Sequence, residues 1–286
     1  MPPASPAPTD ETSPRPLAPD AAWLGLVARS VAFNAAMWLW TAVMCVALMP
    51  LLLTSPETMM RGVRSWMRGI QLLLRTLVGL RYEVRGLEHL PPGPAIIAAK
   101  HQSAWETLSF NLIVPDLVVA LKRELLQLPF FGWFARKSRM IGVDRRHGTS
   151  ALRNLVRQAE VAMARGERVL IFPEGTRVPP GQRARYLPGV AALYGKLDRP
   201  VVPVALNSGL YWGRRRFVKR PGRIVVEFLP PIPPGLDRRA FEALLAERLE
   251  TATDRLVEEA RGGNRGGEEA AAQRSPSSTR SHAASP

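Results

Sequence analysis

The sequence predicts an α/β domain with a mostly parallel sheet and helices on both faces, preceded by an N-terminal membrane-embedded helical segment. Three observations carry this expectation. Seven short apolar runs alternate with amphipathic stretches from position 81 to 260, the pattern of strands and helices taken in turn. The 23 positions from 31 to 53 contain no charged residue. Between these regions lies a stretch whose arginines share one helical face.

Positions 1–22 are rich in Pro, Ala, Ser and Thr without periodicity and are expected to form a disordered tail. The charge-free run then reads as a helix. At about 1.5 Å per residue it would measure roughly 34 Å, enough for a bilayer core of about 30 Å. A signal peptide fits poorly, because nearly thirty residues precede the run and they lack a basic cluster. A buried core helix is disfavoured by the length. Pro50 and Thr54-Ser55-Pro56 supply a break. Beyond it Arg61, Arg64, Arg68 and Arg75 line one face, with Val63, Trp66, Met67, Ile70, Leu74 and Leu77 around much of the rest. That is the composition of a membrane-surface helix, and a helix packed on the domain with solvated arginines is the alternative. Positions 23–80 therefore form a membrane-associated two-helix unit, either a span plus a surface helix or a hairpin dipping into one leaflet.

Positions 81–260 form the globular domain. Strands are expected at 82–84, 95–99, 117–121, 140–143, 168–172, 201–206 and 223–228. Helices are expected at 105–114, 149–164, 189–197 and 237–260. In the last of these, Phe241, Leu244, Leu245, Leu249, Ala252 and Leu256 mark a 3.6-residue face. From 261 to 286 the composition falls to Gly, Ser, Ala, Arg and Pro, a second expected tail.

Composition narrows the function classes. Lys and Arg total 39 against 24 Asp and Glu, a net charge of +15, so anionic partners are expected. A single cysteine, Cys45, rules out an internal disulfide and a Cys-based zinc site. His89, His101, His147 and His282 show no metal-ligand spacing, so no structural metal and no cofactor is expected.

Two stretches carry chemistry. Lys100-His101-Gln102-Ser103-Ala104-Trp105-Glu106-Thr107 follows the second strand, at the sheet edge where α/β proteins bind ligands. A histidine oriented by a carboxylate is the usual form of a general base. Five helical residues rotate about 500°, leaving His101 and Glu106 roughly 140° apart, so they meet only if His101 lies on a loop and Glu106 in a first helical turn. Ser103 and Glu106 also fit a capping box, a structural explanation for Glu106 compatible with the catalytic one. The second stretch, Phe172-Pro173-Glu174-Gly175-Thr176-Arg177, follows the fifth strand. Gly175 allows a close backbone approach, and Arg177 can hold a phosphate in bidentate fashion. Alone, it would read as a charged loop with an internal Glu–Arg pair.

Together these stretches resemble the lysophosphatidate acyltransferase family. The family pattern is H-x4-D, a G-x-x-x-D-R-type block, F-P-E-G-T-R and a V-P-V strand. Here His101 to Glu106, then Ile141-Gly142-Val143-Asp144-Arg145, Phe172 to Arg177 and Val201-Val202-Pro203-Val204 stand in that order. Lys122-Arg123-Glu124-Leu125 with Pro129-Phe130-Phe131-Gly132-Trp133 resembles the family's K-x-E-L…P-x-x-G segment. The likeness runs from about 82 to 231, with Glu106 where the family has Asp.

The resemblance implies a glycerolipid acyltransferase-like fold and acyl transfer from a thioester, acyl-CoA or acyl carrier protein, to the sn-2 hydroxyl of lysophosphatidate. His101 would be the general base and Glu106 its orienting carboxylate. Lys122, Arg145 and Arg177 would bind the acceptor phosphate, and Glu174, Gly175 and Thr176 would shape its site. Another acceptor, a lyso-aminolipid or glycerol 3-phosphate, would suit the same chemistry. A catalytically silent lipid-binding relative is the reading from another class. The cluster Arg214, Arg215, Arg216, Lys219, Arg220 and Arg223 suits an anionic membrane surface or an acidic carrier protein. No nucleic-acid-binding pattern is present. Positive charge following the apolar run places the domain on the cytoplasmic side of the cell inner membrane.

Overall fold

In the computed structural model, residues 21–144 and 148–273 are described. The tail expected at 1–22 falls outside them up to position 20, and so does Arg145. Two helices open the chain, α1 (Ala21–Ala47) and α2 (Pro56–Leu73), joined by a 3₁₀ turn at Met49–Leu53. Ser55 caps α2 by accepting a hydrogen bond from the Thr58 N–H, and Pro56 starts the helix, where its missing N–H costs nothing. The helices close as a hairpin: Trp40 donates to the Trp66 carbonyl and Trp66 to the Thr41 hydroxyl.

Seven strands follow: β1 (Leu80–Arg85), β2 (Ile96–Ala99), β3 (Leu117–Lys122), β4 (Ile141–Val143), β5 (Arg168–Ile171), β6 (Val201–Leu206) and β7 (Gly222–Phe228). They form one sheet in the order β1-β7-β6-β2-β5-β3-β4. The block β6-β2-β5-β3-β4 is parallel throughout. β7 runs antiparallel to β6, and β1 runs parallel to β7. The central strands β2, β5 and β6 are buried at every position, which is why they read as apolar runs, with Arg168 at the start of β5 the one charged residue.

One face of the sheet is covered by α5 (Gly148–Ala164), α6 (Gly189–Leu197) and α7 (Arg238–Gln273), through a core including Leu155, Val190, Leu193, Phe241, Leu245 and Leu249. The hairpin covers the other face: Phe33, Ile70 and Leu74 are buried against Ile97, Leu170 and Val202. Helix α2 is therefore packed on the domain, and Arg64 donates to the Asn111 carbonyl. Helix α1 is long and apolar enough to cross a membrane, and only 11% of its most apolar window is buried. Its first half is nevertheless tied to the domain. Arg29 bonds the Leu77 carbonyl, the Ser30 hydroxyl accepts from the Lys219 N–H, and Lys219 Nζ donates to Asn34.

Three expectations need correction. The helix expected at 105–114 is a 3₁₀ turn, Glu106–Leu108, followed by the four-residue α3 (Phe110–Ile113). Its apolar spacing reflects burial beneath the hairpin, not an uninterrupted helix. Of the tail expected at 261–286, the part up to Gln273 belongs to α7, and the rest lies outside the described residues. Good helix formers surround its glycine pairs, and no proline intervenes before Pro276. Within the basic cluster, Lys219 is not a surface charge. It is buried among the rings of Phe33, Trp212 and Phe217, whose centroids lie 5.2–5.6 Å from Nζ, and burial lowers its pKa to about 8.

Candidate active site

Parallel pairing brings the two motifs together. Ala98 of β2 stands opposite Ile171 of β5, so His101 and the 172–177 loop leave neighbouring strand ends on the same sheet edge. The His101 N–H donates to Glu174 Oε2 at 2.9 Å, and its carbonyl accepts from the Val178 N–H at 2.7 Å. The imidazole stacks on Phe172 with centroids 4.1 Å apart. Backbone and ring are thus both held by the second motif.

Glu106 approaches His101 Nδ1 at 3.2 Å, with the histidine side chain 12% exposed and the glutamate side chain fully buried. The geometry is the one anticipated: His101 on the loop, Glu106 in the first turn. Glu106 also accepts from the Ser103 N–H at 2.9 and 3.0 Å, the reach-back half of a capping box. The other half differs, since Ser103 Oγ accepts from the Trp105 N–H. The 3₁₀ turn lets the longer Glu side chain fold back onto the loop and still reach the ring. A carboxylate on Nδ1–H leaves Nε2 as the basic nitrogen of a neutral imidazole.

His101 lines a cavity of about 780 Å³, together with Lys122, Gly175, Thr176 and Arg177. Arg214 and Arg215 line it as well, so part of the basic cluster belongs to the site. Gly175 takes the left-handed conformation, φ 62°, as it closes the turn onto the Phe172 carbonyl. A second cavity of about 340 Å³ adjoins it, with Thr107, Leu121, Leu125 and Arg177 lining both. Its other walls are mostly apolar, with contributions from the hairpin (Cys45, Trp66) and from Leu128 and Phe131, and with Thr41, Asn111 and Ser138 as polar members.

Glu174 stands elsewhere than expected. It does not pair with Arg177 and does not line the cavity; its fully buried carboxylate bonds Lys100 Nζ at 2.5 Å. Lys100 Nζ also bonds Glu250 of α7 at 2.9 Å, and Tyr186 donates to that carboxylate at 2.8 Å. Burial raises the Glu174 pKa and the Lys100 charge opposes the shift. Burial, then the Glu250 carboxylate, push the Tyr186 phenol up.

Sequence reading passed over four members of this site. Lys100 had a visible signal, a lysine closing an otherwise apolar strand. Ser208, whose hydroxyl donates to Glu106 Oε1, lies just beyond the V-P-V strand. Glu250 and Tyr186 carried no local signal. Among the described residues, no group of three or more His, Cys, Asp or Glu could hold a metal ion.

The family described as Acyltransferase matches residues 81–207. Over 202 residues the chain is 31% identical to human 1-acyl-sn-glycerol-3-phosphate acyltransferase alpha, covering 66% of this chain and 71% of that one. The chain belongs to the 1-acyl-sn-glycerol-3-phosphate acyltransferase family. It is 44% identical over 168 residues to a family member from Pseudomonas aeruginosa, a 1-acyl-sn-glycerol-3-phosphate acyltransferase. That match covers 59% of this chain and 65% of the relative, just under two thirds of its length. The crystal structure of the acyltransferase PlsC from Thermotoga maritima superposes with a TM-score of 0.68, covering 81% of this chain and 97% of that one. At 19% identity this likeness establishes that the family member described here shares the fold.

Proposed function

We propose that the protein transfers a fatty acyl group from a thioester donor, acyl-CoA or acyl carrier protein, to the sn-2 hydroxyl of lysophosphatidate. The observation that carries this reading is His101, backed by the buried Glu106, lining a cavity that holds several cations and adjoins an apolar chamber. His101 Nε2 takes the hydroxyl proton as the oxygen attacks the thioester carbonyl, while Glu106 holds the tautomer and stabilises the imidazolium. The C–S bond then breaks, and the imidazolium returns the proton to the departing thiolate. The products are phosphatidate and a free thiol. Direct attack needs no acyl-enzyme, because both substrates occupy the cavity together. Lys122 and Arg177 bind the acceptor phosphate, with Arg214 and Arg215 beside them and Arg145 assigned to the same role on sequence alone. The apolar chamber receives an acyl chain.

The hairpin lies in the cytoplasmic leaflet of the inner membrane. The docking of α1 on the domain through Arg29, Ser30 and Asn34 favours a hairpin dipping into one leaflet over an upright span. Trp38, Leu39, Val43 and Val46 of α1 are exposed and would face the lipid.

A screen of purified protein across lyso-acceptors and both thioester donors tests the reading. Turnover of lysophosphatidate is expected, and no turnover with either donor would refute it. Arg177→Ala is expected to raise the lysophosphatidate KM about ten- to hundredfold with kcat far less changed, the scale of one charged hydrogen bond. An unchanged KM would remove Arg177 from the phosphate site. Ser208→Ala is expected to lower kcat about tenfold by loosening Glu106. Unaltered kcat would leave Ser208 with packing alone.

A further inference from the structure

We propose that the segment 125–133 inserts into the bilayer beside the hairpin and forms one jamb of a lateral portal, through which a lipid acceptor enters the apolar chamber. The portal role rests on the acyltransferase reading; the insertion does not. Leu125, Leu128, Phe130, Phe131 and Trp133 are 37–47% exposed, five large apolar side chains within nine residues. Such a patch is disfavoured in water. Three of them, Leu125, Leu128 and Phe131, also line the chamber, so the patch and the chamber wall are one structure. The hairpin supplies another wall, through Cys45 and Trp66.

The backbone holds this patch in a strained form. Phe130 has φ 58° and ψ −68°, and the Phe131 N–H bonds the Pro129 carbonyl at 2.6 Å, a γ-turn of the rare positive-φ kind. Such a conformation costs about 1–3 kcal/mol and persists only when its surroundings fix it. Here a Cβ on Gly132 would lie 2.1 Å from the Leu126 carbonyl oxygen, and that oxygen also accepts from Arg136. The result is an exposed aromatic pair, Phe130 and Trp133, with centroids 5.2 Å apart.

Position and charge name the occupant as membrane. The segment leads into α4 (Phe131–Lys137), whose Phe134 is buried with Leu48 and Met59 at the hairpin's turn. The neighbouring Leu53 is 92% exposed, so the apolar surface continues from hairpin to segment. Lys122, Arg123, Arg136 and Lys137 flank the aromatics against one carboxylate in that stretch, Glu124, which pairs with Lys122. Aromatic rings with cations beside them are the composition of a membrane interface.

The test uses full-length protein with Cys45→Ala and one new cysteine, Phe130→Cys, Leu53→Cys or Glu160→Cys, labelled with an environment-sensitive fluorophore. Vesicles of phosphatidylcholine and phosphatidylglycerol carry doxyl-labelled chains. Labels at 130 and 53 are expected to be quenched several-fold more than the label at the α5 position 160. A label at 130 quenched no more than that at 160 overturns insertion, whatever the activity. For the portal, Phe130→Ser/Trp133→Ser should slow acylation of a long-chain acceptor in vesicles about tenfold while a short-chain acceptor below its micelle concentration reacts at the parent rate. Equal loss, or equal retention, on both acceptors overturns the portal. If the parent acylates neither acceptor, the acyltransferase reading and the portal fail together, and the labels still decide insertion.

Discussion

Glu106→Gln is expected to lower turnover per folded molecule about 10³–10⁴-fold, the loss that follows when an orienting carboxylate becomes an amide. The carboxylate offers two oxygens to four donors: His101 Nδ1–H, the Gln102 and Ser103 N–H groups and the Ser208 hydroxyl. An amide keeps only one of those oxygens. If its NH₂ faces His101, Nδ1 becomes an acceptor, Nε2 carries the proton, and the base is lost. If its NH₂ faces Ser103 and Ser208, buried donors go unpaired at about 1–3 kcal/mol of stability. Glu106→Asp restores the carboxylate and should recover part of the activity, since aspartate is the family's residue. The measurements are kcat and a thermal melt on each variant. Glu106→Gln protein that melts lower but turns over within threefold of the parent, per folded molecule, would reduce Glu106 to a loop clamp.

How much of this was legible before the structure follows from range. The strands β2, β5 and β6 are apolar runs, but for Arg168 opening β5, because they are buried on both sides, and a run of that kind is visible locally. Both motifs leave such strands, so their common edge could be read too. The helix expected at 105–114 failed because periodicity records burial, and burial there comes from α2 above the loop: Gln71 bonds Ser109 and Trp105. Which helices cover that face could not be read, since a charge-free run next to an arginine-rich one has the composition of a membrane segment whether or not it also packs on a sheet. Partners far apart in sequence were the least visible. Glu174 and Glu250 lie 74 and 150 residues from Lys100, and Asn34 lies 185 from Lys219. Nothing in a local window pairs them.

Lys100→Met is expected to destabilise the protein by about 3–5 kcal/mol near neutral pH, because it leaves two buried carboxylates without their cation. The pH dependence separates this from lost packing. Burial holds the Glu174 carboxyl above its ordinary pKa, with Lys100 opposing. A carboxyl whose folded pKa exceeds its unfolded value favours folding while protonated, and that contribution is lost as pH rises through the folded value. Removing Lys100 raises the folded pKa further, so more stability is lost over the rise. The deficit of Lys100→Met should therefore be small near pH 4, grow through the raised range of the Glu174 carboxyl and level off once that carboxyl has titrated. Denaturant midpoints across pH would measure it, and a deficit independent of pH would assign Lys100 to packing. Lys100→Met/Glu174→Gln/Glu250→Gln removes the charges together and should regain much of the stability. Glutamine still accepts the His101 N–H in place of Glu174, so that variant should also regain turnover. If it folds well and stays slow, the ions themselves hold His101 in place, and the neutral network does not substitute for them.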